Sequence, residues 1–227
     1  MKSPSPEIPE IIRTQRKSFG LEITPDGQLI VRAPKSASDA QIKAVIAQKA
    51  AWISNARARL AAQYPDRTPH TFAPGETFWY LGDQYSLHLV DHQRPLLDLD
   101  GSFHLAQQAH SQAKQIFIAW YREETRHITH KLIVDYTKRF NLKVNRVRIT
   151  SARTRWGSCS GKGNLNFTYR LCMAPLEVIE YVVVHELAHL KVPNHSRTFW
   201  VEVAKMYPDY QKQRNWLKQH GYRLNLD

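Results

Sequence analysis

Leu176-Glu177-Val178-Ile179-Glu180-Tyr181-Val182-Val183-Val184-His185-Glu186-Leu187-Ala188-His189 is a mostly apolar run that ends in two histidines. Its composition predicts a buried helix, and Pro175 suits the first turn. On a helix, positions i and i+4 share a face, so His185 and His189 can address a single metal ion. Glu186 follows one residue later, about 100° round the helix, beside such an ion and not bonded to it. That is where a general base acting on a metal-bound water belongs. Pro193 and Asn194 break the helix, so that His195 can turn back toward the same point. Three protein ligands with a fourth position open is the pattern of a catalytic zinc, whereas a structural zinc is closed by four. The competing explanation is a pair of core histidines satisfied by local hydrogen bonds, with His195 in a solvated loop capping the next helix. The apolar run around the first two argues for a metal.

The chain of 227 residues is long enough to bury a core and to hold one domain or two small ones. It carries 32 Lys+Arg against 20 Asp+Glu, a net charge of +12, which favours anionic partners such as nucleic acid or nucleotides. The clearest basic clusters are Arg13–Lys17 and Arg146–Arg155. Two cysteines, Cys159 and Cys172, are too few for a disulfide framework. No apolar run approaches the roughly 20 residues that span a bilayer, and the first ten residues hold no apolar signal segment. The expectation is a reduced, cytoplasmic protein with no membrane partner.

Residues 1–12 are proline-rich and read as a loose tail. Alternation from Phe19 to Val31 around Thr24-Pro25-Asp26-Gly27 predicts a hairpin, and Ser38-Asp39-Ala40-Gln41 opens a helix reaching about Ala62. Residues 64–76, with three prolines, read as a linker. A second hairpin turns at Leu81–Gln84, and a third short strand lies near Leu96–Leu105. Residues 110–140 form one long helix by their apolar period. Strands at 144–149 and 164–171 flank the turn Arg153–Gly161, and two helices follow His195, the last ended by Gly221.

Arg155-Trp156-Gly157-Ser158-Cys159, the strand after it, His185–Leu190, and Asn194-His195-Ser196 with Phe199-Trp200 together resemble the YgjP-like metallopeptidase domain family, a relative of the SprT and WLM zincins. Ile30–Pro34, Trp52-Ile53 and Tyr80-Leu81-Gly82 fit the same pattern. The resemblance implies an α+β fold: a zincin-like catalytic domain, with a twisted sheet over the HExxH active-site helix, preceded by a small β-rich module with one helix. The expected division is a flexible tail at 1–17, the module at 18–108 and the catalytic domain at 109–227. Position by position, it makes His185, His189 and His195 the ligands of one Zn2+, or another divalent metal, and Glu186 the acid/base. Val192 stands where metzincins carry a turn glycine, which places the chain with the SprT-like group.

The leading expectation is a zinc-dependent peptidase acting on a protein or peptide. Two alternatives remain: a metal-dependent nucleotide phosphohydrolase of pyrophosphatase type, and a DNA-associated SprT-like protease contacting nucleic acid through its basic surface. The oxyanion needs a second donor, for which Arg155, Tyr207 and Tyr210 are candidates, against plain packing of the two tyrosines. Strand 165–171 is the candidate edge for an extended peptide. Trp156 could plug the core with Arg155 paired to Glu180, or both could bind phosphate and base. Cys159 is either a small buried residue or an inhibitory ligand.

Overall fold

The computed structural model describes residues 9–24, 27–63 and 70–226. The chain divides into two units, Met1–Thr68 and Pro69–Asp227. The first unit is a three-stranded sheet with two helices. Strands β2 (Gly20–Ile23) and β3 (Leu29–Pro34) pair antiparallel as the alternation predicts, although Pro25 and Asp26 of the expected turn lie outside the described residues. A third strand, β1 (Glu10–Thr14), runs parallel to β3 within the stretch expected to be a flexible tail. Its isoleucines are half-covered or exposed, so the segment carries no strong apolar signal, and backbone pairing holds it instead. Arg13 fastens its end, donating to Asp39 at 2.6 Å and to the carbonyl of Ala37.

The helix expected from Ser38 starts as predicted, with a capping box in which Ser38 and Gln41 satisfy each other's amides. It breaks at Lys49, whose backbone sits in the bridge region (φ −100°, ψ 11°), giving α1 (Asp39–Gln48) and α2 (Ala50–Gln63) in place of one helix. Val31, Ala33, Ile42 and Ile53 form the buried centre of this unit.

The second unit begins with β4 (Thr77–Tyr80), β5 (Asp83–Val90), β6 (Leu97–Asp100) and β7 (Ser102–Ala106), in the spatial order β4-β5-β7-β6. The turn between β4 and β5 is only Leu81-Gly82, both at positive φ. Gly82 is required there: a Cβ would stand 2.8 Å from the Pro175 ring. The third strand of the sequence reading is thus a hairpin of two, turning at Gly101. Of the expected linker, residues 64–69 lie outside the described residues.

Helix α3 (Ala113–Phe140) lies against this sheet through tilted ring pairs, Phe78 on Phe117 at 4.4 Å and Phe103 on Phe117 at 5.0 Å. Residues of β4–β7 therefore share one hydrophobic core with the C-terminal helices. The composition shift near position 108 marks the change from strands to helix, and residues on both sides of it belong to this core.

A second sheet follows: β8 (Arg146–Thr150), β9 (Gly157–Cys159) and β10 (Asn164–Thr168), ordered β8-β10-β9. The strand expected at the edge is the central one, parallel to β8 and antiparallel to β9, and it ends at Thr168. The turn around Gly163 (φ +72°) folds β9 and β10 together, which leaves β9 outermost. Residues Tyr169–Met173, read as strand, form a buried 3-10 helix. Leu165 and Phe167 point into the core, and Asn164 and Asn166 alternate to the other face.

Helix α4 (Leu176–Ala188) buries nine of its thirteen residues, as a helix apolar on most sides must. It packs on α3, on β9, and on α5 (Arg197–Met206) and α6 (Tyr210–His220). The fold is mixed α+β, and α4 is the element on which α3, α5, α6 and β9 converge.

Candidate active site

The three histidines converge. Their potential ligand atoms lie within 4.8 Å of one another, the single such cluster of His, Cys, Asp or Glu among the described residues. His185 and His189 are one turn apart, and His189, at the helix cap, keeps helical dihedrals (φ −65°, ψ −17°), so the i, i+4 geometry survives to the last residue. The Nδ1 of His189 meets the Val192 carbonyl at 3.0 Å, which assigns its proton to Nδ1 and leaves Nε2 as a lone-pair donor. The Nε2 atoms of His185 and His195 approach to 3.0 Å. Asn194 accepts from the Ser196 amide at 3.2 Å, shaping the turn that brings His195 back.

Phe199, fully buried, is the floor of the cluster. Its ring centroid lies 4.4 Å from that of His189 and 4.9 Å from those of His185 and His195. Trp200 stands beside His185 and His195 at 5.8 and 5.9 Å. Burial, the neighbouring imidazoles and the Arg214 guanidinium push the His185 pKa down to about 3, and the same influences lower that of His195. Both rings are therefore neutral at neutral pH, the form that binds metal.

Glu186 is 5% exposed and its Oε2 has no hydrogen-bond partner among the described residues, as is true of His185 Nδ1. Burial raises the Glu186 pKa to about 8, opposed by Arg155, and a divalent cation held by the histidines would lower it toward the ionised form that a base needs. A buried carboxylate oxygen left without a donor calls for a further group at the site, such as a water or an ion. The space for this carboxyl is made by Gly157 on β9: a Cβ there would sit 2.5 Å from Oε1 and 2.6 Å from Cγ of Glu186. Three convergent imidazole nitrogens, one with its proton already committed to a carbonyl, suit a zinc-type ion with an open position.

The other expected residues separate. Arg155 is exposed and acts on Glu186 through its charge; it does not pair with Glu180, which accepts from the Tyr136 hydroxyl at 2.8 Å. Tyr210 reaches the rim, stacked on Trp200 at 5.3 Å. Tyr207 lies among Glu177, Glu180 and Gln213, on a face of α4 turned away from His185 and His189. Trp156 packs against the core with the Arg170 guanidinium over its ring at 5.0 Å. Cys159 is half-buried and outside the histidine cluster.

Two further residues border the cluster, Arg214 and Tyr181. Arg214 of α6 lies over Trp200 at 4.5 Å and places a positive charge beside the cluster. It is far from the motif in sequence, and nothing local announces it. Tyr181, 5% exposed, sits one turn before His185 with the rings 5.9 Å apart, and its i−4 spacing was a readable signal. Burial pushes its hydroxyl pKa up to about 12.

The model of the YgjP-like, metallopeptidase domain family matches residues 17–220. The chain belongs to that family. Two solved structures are similar over part of the chain. One is the metallopeptidase zymogen abylysin of Pyrococcus abyssi, 25% identical over 39% of this chain and 90% of that one, with a TM-score of 0.37. The other is the metallopeptidase zymogen jannalysin of Methanocaldococcus jannaschii, 19% identical over 42% of this chain and 94% of that one, with a TM-score of 0.33. No curated protein matches. As a YgjP-like domain the chain is of metal-dependent peptidase type, and among the described residues no helix is long and apolar enough to cross a membrane.

Proposed function

We propose that this YgjP-like chain is a zincin-type peptidase in which His185, His189 and His195 hold one Zn2+ and Glu186 is the general acid/base. The observation that carries the reading is the pairing of three convergent imidazoles with a buried carboxyl one residue along the same helix, whose Oε2 has no hydrogen-bond partner among the described residues. A zinc ion held there supplies Lewis-acid chemistry, acidifying a water toward a pKa of about 7 and polarising a carbonyl. Glu186 takes the proton from the attacking water as the C–O bond forms, and returns it to the amine nitrogen as the C–N bond breaks. Gly157 leaves its carboxyl room to make that swing. Phe199 and Trp200 hold the histidines and keep one side of the site dry.

Strand β9 has one paired side and one open side, and it carries Gly157 beside Glu186. An extended peptide adding to that open edge would lie across the site, with main-chain hydrogen bonds giving affinity at little sequence cost. Arg155 and Arg214, whose charges act on Glu186 and His185, are candidates to meet negative charge on the substrate or on the developing oxyanion.

Casein cleavage by purified protein tests the reading. Loss of cleavage with a zinc chelator and recovery on adding Zn2+ is the expected result. Phosphate release from a nucleotide panel, with no cleavage of any protein, would replace peptidase by phosphohydrolase.

A further inference from the structure

Residues 136–176 contain nine Lys or Arg and no Asp or Glu, so this segment alone supplies nine of the chain's net twelve positive charges. Its middle part forms the β8-β10-β9 sheet, whose inner face is apolar and packed on α3 and α4. The outer face is different. Arg146 and Arg148, two apart on β8, project from it, and across the ladder they stand beside Asn164 and Asn166. With Asn145 and Ser160 these residues line an open groove of about 540 Å³. The polar side chains between the arginines are ordered by one another: Asn145 donates to Asn164 at 3.0 Å, and Asn166 donates to Ser158 at 3.1 Å. At the end of the groove two turns meet, the Asn145 amide donating to the Gly163 carbonyl at 2.9 Å, and they carry exposed Lys143 and Lys162. Among the described residues none of these four cations forms an ion pair.

We propose that this outer sheet face binds a polynucleotide strand through its phosphates. Side chains two apart on a strand are separated by about 6.6–6.8 Å. Arg148, Arg146 and the lysine pair thus form a strip of one sign along β8. A phosphodiester chain presents a regular line of single charges to such a strip. An extended acidic peptide turns alternate carboxylates away from it. Arginine guanidinium groups grip phosphate oxygens in pairs, and the asparagine amides add neutral donors. No aromatic ring lines the groove, so bases are not stacked there, and recognition is of backbone and independent of sequence. The surface is separate from the histidine cluster, and the inference does not depend on the peptidase reading.

The test is fluorescence anisotropy of the full chain with a labelled oligothymidine of about 20 nucleotides, titrated over salt. Three to four phosphate contacts predict a log–log salt slope of about −2 to −3. The double variant Arg146→Gln/Arg148→Gln is expected to weaken binding by about tenfold or more at low salt and to remove about 1.4 from the slope. Its thermal unfolding and casein cleavage are expected to match the parent. Lys143→Gln/Lys162→Gln, outside the strands, is expected to act in the same direction and keeps the test open if the strand variant unfolds. Lys212→Gln/Lys218→Gln on α6 removes the same charge from elsewhere and is expected to leave binding within about twofold. Failure to bind DNA at low salt overturns the proposal, as does an equal loss in the α6 variant. Equal or tighter binding of a labelled oligoglutamate of the same length, lost in the same sheet variants, would assign the face to an acidic protein segment instead.

Discussion

Gly157 shows how much of the site depends on a side chain that is not there. A methyl group at this position would enter the space of the Glu186 carboxyl, which is boxed in and cannot retreat into solvent. Gly157→Ala is therefore expected to displace Glu186 while leaving the histidines in place. The measurable outcome is a fall in kcat of about a hundredfold, the scale of a misplaced acid/base group, with metal content unchanged. Equal activity would show that the carboxyl has another resting place. The histidines and Glu186 were legible in the sequence because helix geometry alone sets their relation. Gly157, Arg214 and Phe199 meet the site through tertiary packing, and their spacing along the chain encodes nothing of it.

Elements were legible wherever local chemistry decides them: the capping box at Ser38, the hairpins β2–β3 and β4–β5, the long α3 and the apolar α4. They are not legible where pairing partners decide. Strand β1 is held by β3 with little burial of its own, and the order β8-β10-β9 depends on which strand folds back at Gly163. The entry to β4 offers a test of local chemistry. Glu76 accepts hydrogen bonds from the amides of Thr71 and Ala73 and the Thr71 hydroxyl, and meets His70 Nδ1 at 2.6 Å. Burial alone would raise its pKa, but His70, Thr71 and Ala73 outweigh that and hold it below the ordinary 4.5. A depressed carboxylate pKa contributes stability that is fully present above the ordinary value and is lost as pH falls through the lowered one. Glu76→Gln is expected to cost about 1 kcal/mol at neutral pH and to flatten the acid side of the stability curve, read as Tm against pH from 7 down to about 3. Parallel curves for the two proteins would mean the loop is held by something else.

At the scale of the molecule, two units carry two separate cores, a small one around Val31 and Ile42 and a much larger one around α3 and α4. Separate cores predict two calorimetric transitions. Ile42→Ala, at a position 1% exposed, is expected to lower only one of them, by about 2–5 kcal/mol, with thermal loss of peptidase activity unmoved. A single transition that shifts as a whole would mean that the units unfold together. The basic balance of the chain is likewise not spread evenly, since the acid-free segment 136–176 supplies nine of its net twelve positive charges. In the larger unit, the proposed function has His185, His189 and His195 bind the metal while Glu186, which is not a ligand, moves the proton. Glu186→Gln separates these roles in one measurement of zinc content and casein cleavage on the same purified sample. About one zinc per chain is expected in both proteins, with cleavage reduced at least a hundredfold in the variant; undiminished cleavage by the variant, or loss of its zinc, would overturn these roles.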